Sequence, residues 1–575
     1  MDYLKEYKRW LESDKVDTAT KEELKALSEN TPELESRFGS ILEFGTGGLR
    51  GIMGAGLARM NVYTVRHATQ GLANLITAHG EDAKKKGVVI AYDSRNFSHE
   101  FALEAARVLA ASRITTYVFD ELRPTPELSY AVRELACIAG INITASHNPK
   151  QYNGYKAYWE DGAQIAPTQA EVVLNEIKRS DIFDDVHVMA LEDAEKSGLI
   201  KYIGRDFDEK FIGKVLAQSI CMDAVKAQAD SFKIIYTPFH GAGYRLVPEV
   251  LKRLGFKNII TVPEQMIIDG NFPTVKSPNP EDKDGFRLAI EMAKKENIDL
   301  IIGTDPDADR VGIIVRNSAN EYLSISGNQV GILLTDYIIS ARKEKNHLPS
   351  NAALITTIVS TRMVFEICRR NNVTIFEVLT GFKFIGEKIK EFEESGDYSF
   401  IFGFEESYGY LSGTYARDKD AVFGAMLIAE MAAWYKQKGM TLYDGLSALY
   451  EKYGYFDEKT VNINMQGLDA LERMKAIMKN MRENSPTEID GVKVTAYRDY
   501  LSDVRTVLAT GEKQSTGLPK SDVLFYEFED GNYVVVRPSG TEPKVKLYVL
   551  VKGKNEAEAK KYLDKYSEAF GKLMS

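Results

Sequence analysis

Four loops in the chain carry side chains whose types and spacing suit chemistry on an anionic substrate. In Thr144-Ala145-Ser146-His147-Asn148-Pro149, Asn-Pro sets a turn directly after an apolar run and holds the Ser146 hydroxyl near the loop tip. That hydroxyl is either a nucleophile or a turn-capping serine beside a hydrogen-bonded His147, and the dipeptide alone does not decide between them. Tyr152-Asn153-Gly154-Tyr155-Lys156 follows, adding a tight turn and a lysine able to move a proton at that hydroxyl if its pKa were lowered. The second loop, Thr304-Asp305-Pro306-Asp307-Ala308-Asp309-Arg310, sets three carboxylates at alternate positions. Their repulsion turns favourable when a hard divalent cation such as Mg²⁺ neutralises them; a solvated acidic turn is the other reading. A calcium hand is excluded, because no glycine stands at the sixth place of the loop and no glutamate at the twelfth. In the third loop, Gly403-Phe404-Glu405-Glu406-Ser407-Tyr408-Gly409, carboxylates can accept bonds from neighbouring sugar hydroxyls, while glycine lets the backbone come close. The fourth, Arg537-Pro538-Ser539-Gly540-Thr541-Glu542-Pro543-Lys544, mixes a fork donor, two hydroxyls, a glycine amide and a lysine. Those are phosphate ligands, although Pro-Ser-Gly-Thr is also ordinary turn chemistry.

Two glycine-rich stretches do not carry the chemistry they suggest. Gly381 to Lys388 has the glycine spacing of a P-loop but places Glu387 where lysine is required. Phe44 to Gly51 puts Arg50 at the third-glycine position of a dinucleotide fingerprint, and no strong apolar strand precedes it.

The elements that must position these loops are legible as short apolar runs. ACIAGINIT (136–144), IDLIIGT (298–304), YSFIFGF (398–404) and NYVVVRP (532–538) each read as a buried strand that runs straight into one of the four loops. Amphipathic helices alternate with such runs along most of the chain, the pattern of α/β domains with largely parallel sheets. Open α/β sheets bind ligands beyond the carboxyl ends of their strands, so four such loops are expected to converge on one cleft. The 575 residues allow about four domains of ordinary size. Charged or turn-prone stretches GRDFDEK, RNSANEY and KYGYFDEK place the boundaries near 205, 325 and 455, giving domains 1–205, 206–325, 326–455 and 456–575. The last segment ends in a core-facing helix, with Asn555 as N-cap and Ala559, Leu563, Tyr566, Phe570 and Leu573 on its apolar face.

Composition narrows the function. A net charge of −10 opposes binding to a phosphate backbone, so no nucleic-acid partner is expected. The charged N-terminal stretch has no apolar run long enough for a signal or membrane helix, and a cytoplasmic location with no membrane partner is expected. The three cysteines lack paired spacing and sit among apolar neighbours, and the seven histidines show no HxH or HxxxH pair. Any metal is expected to use oxygen ligands.

Taken together, FGTGGLRG, TASHNP, DPDADR, GFEES and RPSGTEPK resemble the α-D-phosphohexomutase superfamily, in particular its phosphoglucomutase/phosphomannomutase members. YDSR (92–95), PTP (124–126), YTPFHGAG (236–243) and ARDKDA (416–421) look like its longer branch, which also contains phosphopentomutases. The resemblance spans nearly the whole chain. It implies four domains around a central cleft, three similar α/β domains with mixed sheets and a smaller α+β C-terminal domain. It implies interconversion of glucose 1-phosphate and glucose 6-phosphate through a phosphoserine, with Mg²⁺ as cofactor and glucose 1,6-bisphosphate as intermediate and activator. Sugar phosphates would be the partners of a monomer or weak dimer. Ser146 would be the phosphoserine, with Asp305, Asp307 and Asp309 holding the metal together with a phosphate oxygen on Ser146. Lys156, with His147, would assist proton transfer, and Arg50 and Arg310 would flank the transferring group. Glu405 and Ser407 would bind sugar hydroxyls, and Arg537, Ser539, Gly540 and Thr541 would clamp the other phosphate. Thr380, Gly381, Lys383 and Lys419 carry over as further substrate contacts. The resemblance also implies that the bisphosphate stays shielded between half-reactions, so the C-terminal domain is expected to close over it. One departure concerns the third loop, where Tyr408-Gly409-Tyr410 follows Ser407 in place of the histidine of bifunctional phosphomannomutase-type members. That argues against a histidine base there and tilts the substrate toward glucose phosphates. Phosphopentomutase and phosphomannomutase activities are the near alternatives; a non-catalytic sugar-phosphate-binding regulator and a metal-dependent phosphatase are the others.

Overall fold

Continuous apolar runs of four to six residues bury both faces of a strand, and such strands form the centres of three of the four sheets in the computed structural model of the chain. The structure describes residues 2–42, 44–45, 48–465, 469–539 and 544–574. It divides into two compact units, Met1–Ile314 with Gly413–Glu430, and Val315–Ser412 with Met431–Ser575.

In the first unit, strands Gly48–Ile52 (β1), Val88–Tyr92 (β2), Thr116–Phe119 (β3), Ala139–Ile143 (β4), Tyr152–Trp159 (β5) and Ile200–Ile203 (β6) form a mixed sheet in the order β1-β5-β4-β2-β3-β6. Strands β3, β2 and β4 are parallel, whereas β5 runs antiparallel to both β4 and β1. Helices Val62–Ala78 and Ser98–Ala111 present Ala68, Leu72, Ala105 and Leu109 to the core over this sheet. A second sheet follows from Lys233–Thr237 (β7), Asn258–Thr261 (β8) and Leu300–Thr304 (β9), parallel in the order β8-β7-β9, with Val311–Arg316 (β10) beside β9. Both β4 and β9 are wholly buried, in keeping with their mainly apolar sequences; the one polar side chain inside β4, Asn142, donates to the Thr125 hydroxyl at 2.6 Å. Ahead of this core lie helices Tyr3–Glu12, Thr18–Ala26 and Thr31–Phe38, N-capped by Asp2, Asp17 and Asn30 and packed around Trp10.

In the second unit, after the short strand Tyr322–Ile325 (β11), strands Ala352–Thr357 (β12), Thr374–Val378 (β13), Ser399–Glu405 (β14) and Gly409–Leu411 (β15) pair in the order β13-β12-β14-β15. The C-terminal sheet is antiparallel in the order β16-β23-β22-β21-β18-β19-β20. Its strands are Tyr455–Asn464 (β16), Glu488–Ile489 (β17, paired with β18), Val492–Asp499 (β18), Val504–Val507 (β19), Lys513–Gln514 (β20), Leu524–Phe528 (β21), Tyr533–Pro538 (β22) and Lys544–Gly553 (β23). One face packs on helices Ala470–Glu483 and Glu556–Leu573. The other places Phe525, Val535 and Tyr548 against Ile358, Val359 and Leu379 of the third sheet's loops.

The charged stretch GRDFDEK, at the boundary expected near 205, opens the helix Arg205–Leu216 and buries Phe207 and Phe211, because the apolar spacing inside it is helical. One sequence expectation needs correction. On the last helix Ala559, Leu563, Tyr566 and Phe570 are buried behind the Asn555 cap, but Leu573 is exposed and Met574 takes the core position, since the helix ends at that turn.

Candidate active site

The loop after β4 bends sharply enough to put Ser146 in the left-handed region, at φ 53°, a conformation costing a non-glycine residue about 1–2 kcal/mol. Two further loops after buried strands do the same, with Ala308 at φ 49° and Tyr408 at φ 66°. Such strain persists only where surrounding bonds over-determine it, and it clusters at functional sites. At Ser146 those bonds come chiefly from Arg95. Its guanidinium is fully buried and donates to the carbonyl oxygens of Ser146, Asn148, Pro149 and Tyr152. Asp93 lies 3.3 Å from the guanidinium and accepts from the Thr144 hydroxyl at 2.6 Å. Gly154 is glycine because β5 passes so close that a Cβ there would meet Thr144 O at 2.5 Å.

The Ser146 hydroxyl donates to Asp305 Oδ2 at 2.9 Å and lies 3.2 Å from His147 Nδ1. Burial, aided by the Arg310 and Arg50 charges, holds the His147 imidazole well below its ordinary pKa, so the ring is neutral. Asp305, Asp307 and Asp309 are all buried, and one carboxylate oxygen from each lies within 4.8 Å of the others. The loop is anchored from its neighbours: Gly241 packs where a Cβ would meet Pro306 Cα at 2.4 Å, and the amides of Asp309 and Arg310 donate to Asp305 Oδ1. Burial and the two adjacent carboxylates push the Asp305 carboxyl well up. Burial would raise Asp307 as well, but the Lys156 ammonium outweighs it and holds that carboxyl low. Lys156 Nζ sits 2.7 Å from Asp307 Oδ2 and 3.3 Å from Asp309 Oδ2, and Lys419 Nζ lies 2.9 Å from Asp309 Oδ2. The sequence expectation needed a lysine with a lowered pKa; burial does lower Lys156, but the two aspartates outweigh it and raise the ammonium.

A metal fits this set. Asp307 Oδ1 and Asp309 Oδ1 are buried without a hydrogen-bond partner, which leaves two carboxylate oxygens directed at no protein donor. Three hard oxygen donors from one loop, beside a serine hydroxyl, suit a hard divalent ion.

Arg50 donates from Nη1 to Asn148 Oδ1 at 3.0 Å, next to the serine loop, and Arg310 Nη1 lies 3.2 Å from Glu281. In the second unit Glu405 ends β14 buried, with Ser407 half-buried on the turn after it. Thr380 Oγ1 is buried without a partner just before Gly381, which at φ 120° starts the helix Phe382–Ser395. Lys383 stands in that helix's first turn, over the Phe384 ring at 5.0 Å, its amine lowered by burial. Free amides at a helix start favour an anion. Arg537 closes β22 half-buried, and the Ser539 amide donates to Lys544 O at 2.8 Å. Gly540 and Thr541 lie outside the described residues.

Within YDSR, PTP and ARDKDA the sequence singles out Lys419 alone, and Asp93, Arg95, Thr125 and Asp418 emerge only from the fold. Beyond Asp93 and Arg95, Thr125 donates to Asp307 Oδ2 at 2.9 Å, and Asp418 accepts from the Tyr158 hydroxyl at 2.8 Å beside Lys419. All residues of the three strings but the half-buried Ser94 are buried in the fold, which the strings themselves do not announce.

A strained serine loop over three buried aspartates, on consecutive α/β domains, defines an enzyme of the phosphohexomutase class. Sequence comparison agrees in detail. Models of phosphoglucomutase/phosphomannomutase alpha/beta/alpha domains I, II and III match residues 42–182, 209–318 and 326–453, and the C-terminal domain model matches 461–569. The chain therefore belongs to the phosphoglucomutase/phosphomannomutase family. Proteins named phosphoglucomutase from Staphylococcus aureus strains MSSA476 and MRSA252 are each 38% identical, over 94% and 92% of this chain and 95% and 93% of theirs. The open form of the phosphoglucomutase parafusin from Paramecium shares the fold at TM-score 0.67 and 16% identity, over 93% of this chain and 94% of that one. A family protein from Burkholderia thailandensis does so at 0.64 and 18%, over 93% and 98%. Among the described residues no helix is long and apolar enough to cross a membrane.

Proposed function

We propose that this enzyme interconverts glucose 1-phosphate and glucose 6-phosphate through phospho-Ser146 and glucose 1,6-bisphosphate. The observation that carries this is the Ser146 hydroxyl 2.9 Å from Asp305, within a buried aspartate triad that keeps two carboxylate oxygens unpartnered. Asp305, Asp307 and Asp309 would hold Mg²⁺ with an oxygen of the phosphorylated serine; bound there, the ion would withdraw charge from the phosphoryl group.

The chain's own groups do the rest. Arg95 and Asp93 hold the loop so that Ser146 keeps its strained geometry. A sugar hydroxyl attacks phosphorus as the bond to Ser146 Oγ breaks; the sugar oxygen gives up one proton and the departing serine oxygen takes one, and neutral His147, 3.2 Å from that serine oxygen, is placed to relay the proton to it. Lys156 and Lys419 stay charged and orient Asp307 and Asp309. Arg50 and Arg310 neutralise the transferring group, Glu405 and Ser407 take sugar hydroxyls, and Thr380, Gly381 and Lys383 add contacts to substrate. Arg537, Ser539, Gly540 and Thr541 take the phosphate that stays. Return of the second phosphoryl group to Ser146 regenerates the enzyme with no net phosphate consumed.

The same reading gives domains bounded near 205, 325 and 455, a monomer or weak dimer, and a cytoplasmic enzyme, in keeping with three buried cysteines that form no disulfide. The test is a Mg²⁺-dependent assay on glucose 1-phosphate with trace bisphosphate, following glucose 6-phosphate and free phosphate together. Isomerisation without phosphate release supports the proposal; stoichiometric release makes the protein a phosphatase, and faster turnover of ribose 1-phosphate or mannose 1-phosphate reassigns the sugar. Ser146→Ala should abolish turnover while substrate still binds, and activity in that variant would refute the nucleophile.

A further inference from the structure

The second unit contains a cavity of about 230 Å³ whose lining includes no described residue of the third or fourth loop. Its walls come from helix Leu442–Tyr453, from the start of β16, from the first turns of helix Glu556–Leu573, and from Gln329 on helix Gly327–Glu344. That volume equals roughly eight waters of liquid, room for a ligand of about that many heavy atoms.

Its lining has one charge sign. Glu451, Asp457 and Glu556 contribute carboxylates, and no lysine or arginine lines it. Lys552 approaches Phe456 at 5.0 Å from the ring centroid without being part of the wall. Tyr450 and Tyr455 stack as a nearly parallel pair, centroids 5.6 Å apart and planes 2° apart, over a floor containing Leu446 and Ala559. The three acids line the same space; burial pushes Asp457 up against the bond from the Glu458 amide, with the Glu556 charge adding to the rise, and burial followed by the Glu458 charge raises the Tyr450 phenol. Stacked aromatic faces, an apolar floor and uncompensated carboxylates form the recognition set for an ammonium or guanidinium carried on a short apolar body.

We propose that this cavity is a second ligand site, separate from the phosphoryl-transfer chemistry, that binds a small organic cation and biases the sugar-binding loop. Gln329 Nε2 donates to the Tyr450 hydroxyl at 3.1 Å, and Gln329 also closes the capping box with Ser326 at the start of its helix. The next residue of that turn, Gly327, packs so tightly on the sugar loop that a Cβ would lie 2.0 Å from Glu406 O, and its carbonyl accepts from the Tyr410 hydroxyl at 3.1 Å. A ligand bearing on Tyr450 therefore pushes on the helix turn that backs Glu405–Gly409. An aliphatic diol would lack the charge, and Mg²⁺ would use the carboxylates without the rings.

The test is calorimetric titration of the full-length protein with agmatine at low ionic strength, with 1,4-butanediol and Mg²⁺ as comparison ligands. One saturable agmatine site is expected, weakened at least tenfold in the Asp457→Asn/Glu556→Gln double variant and in Tyr455→Leu, with unfolding midpoints confirming that both variants fold. Bound agmatine should slow amide exchange in 405–411. No saturable agmatine binding, unchanged binding in the double variant, diol binding as tight as agmatine, or displacement of agmatine by equimolar Mg²⁺ would each overturn the site. Saturable binding with unaltered exchange in 405–411 would overturn its action on the sugar loop.

Discussion

Arg95 gives the most decisive perturbation, because one side chain holds a loop that is strained on its own. The guanidinium donates to four carbonyl oxygens between Ser146 and Tyr152, lies 3.3 Å from Asp93 and stacks 5.1 Å from the Phe272 ring. Arg95→Met removes every one of those donors and keeps most of the bulk. Breaking a buried ion pair costs about 3–5 kcal/mol when the remaining charge has no other partner. Asp93 retains the Thr144 hydroxyl at 2.6 Å, the Ser98 hydroxyl at 2.8 Å and the residue 95 amide at 2.9 Å, so the lower end, about 3 kcal/mol, applies. The left-handed Ser146 backbone adds a drive of about 1–2 kcal/mol toward relaxed conformations. Falling on the equilibrium between the held and the relaxed loop, a loss of about 3 kcal/mol shifts that equilibrium roughly a hundredfold at 1.4 kcal/mol per decade, and kcat/KM should fall by up to about that factor. Amide exchange should rise across 144–152 and stay unchanged in β22. Arg95→Lys keeps a charge for Asp93, yet three ammonium protons cannot span four carbonyls in the fork geometry, so it should recover stability and only part of the turnover. An Arg95→Met enzyme that keeps kcat/KM within threefold and protects 144–152 normally would refute the claim that this residue sets the serine geometry.

Three further outcomes follow from the same structure. Asp307→Asn removes the shared acceptor of Lys156 and Thr125 and one of the triad's oxygens, so kcat should drop about 10²–10³-fold while sugar phosphate still binds; a loss under tenfold would contradict a metal role for that carboxylate. Burial raises Asp420 from 3.8 to about 6 despite bonds from the Tyr415 hydroxyl and the Val422 and Phe423 amides. Its contribution to stability is thus full below pH 3.8 and lost as pH rises through about 6, so the melting temperature of Asp420→Asn should gain on the parent between pH 4 and 7, and a constant difference across that window would refute the assignment. Arg362 pairs with Glu377 and lies 4.7 Å from Tyr533 and 5.5 Å from Phe525. Arg362→Met should loosen the C-terminal sheet from the third by about 1–2 kcal/mol, read as faster exchange in β21; unchanged exchange would show that the Phe525 cluster suffices.

What could be read from the sequence, and what could not, divides along a physical line. β4, β9, β14 and β22 announced themselves because a buried strand is mainly apolar, and the candidate loops follow immediately past each end. Ser146 and the three aspartates were legible for the same reason: polar groups at a strand's carboxyl end have few structural duties there. The supports were not. Arg95 lies about fifty residues from Ser146, and nothing local distinguishes a buried arginine in YDSR from an exposed one. Only the pairing of β2 with β4 brings the two loops side by side and turns a surface-looking sequence into the staple of the serine loop. Lys156 illustrates the converse. Its place was legible from NGYK, but the sign of its pKa shift was not, because that sign depends on Asp307 and Asp309 outweighing burial, and a balance between two large opposing quantities is settled by distances of 2.7 and 3.3 Å rather than by residue type. Sequence motifs thus locate the groups of the proposed reaction, whereas long-range pairing decides which protonation state they start from.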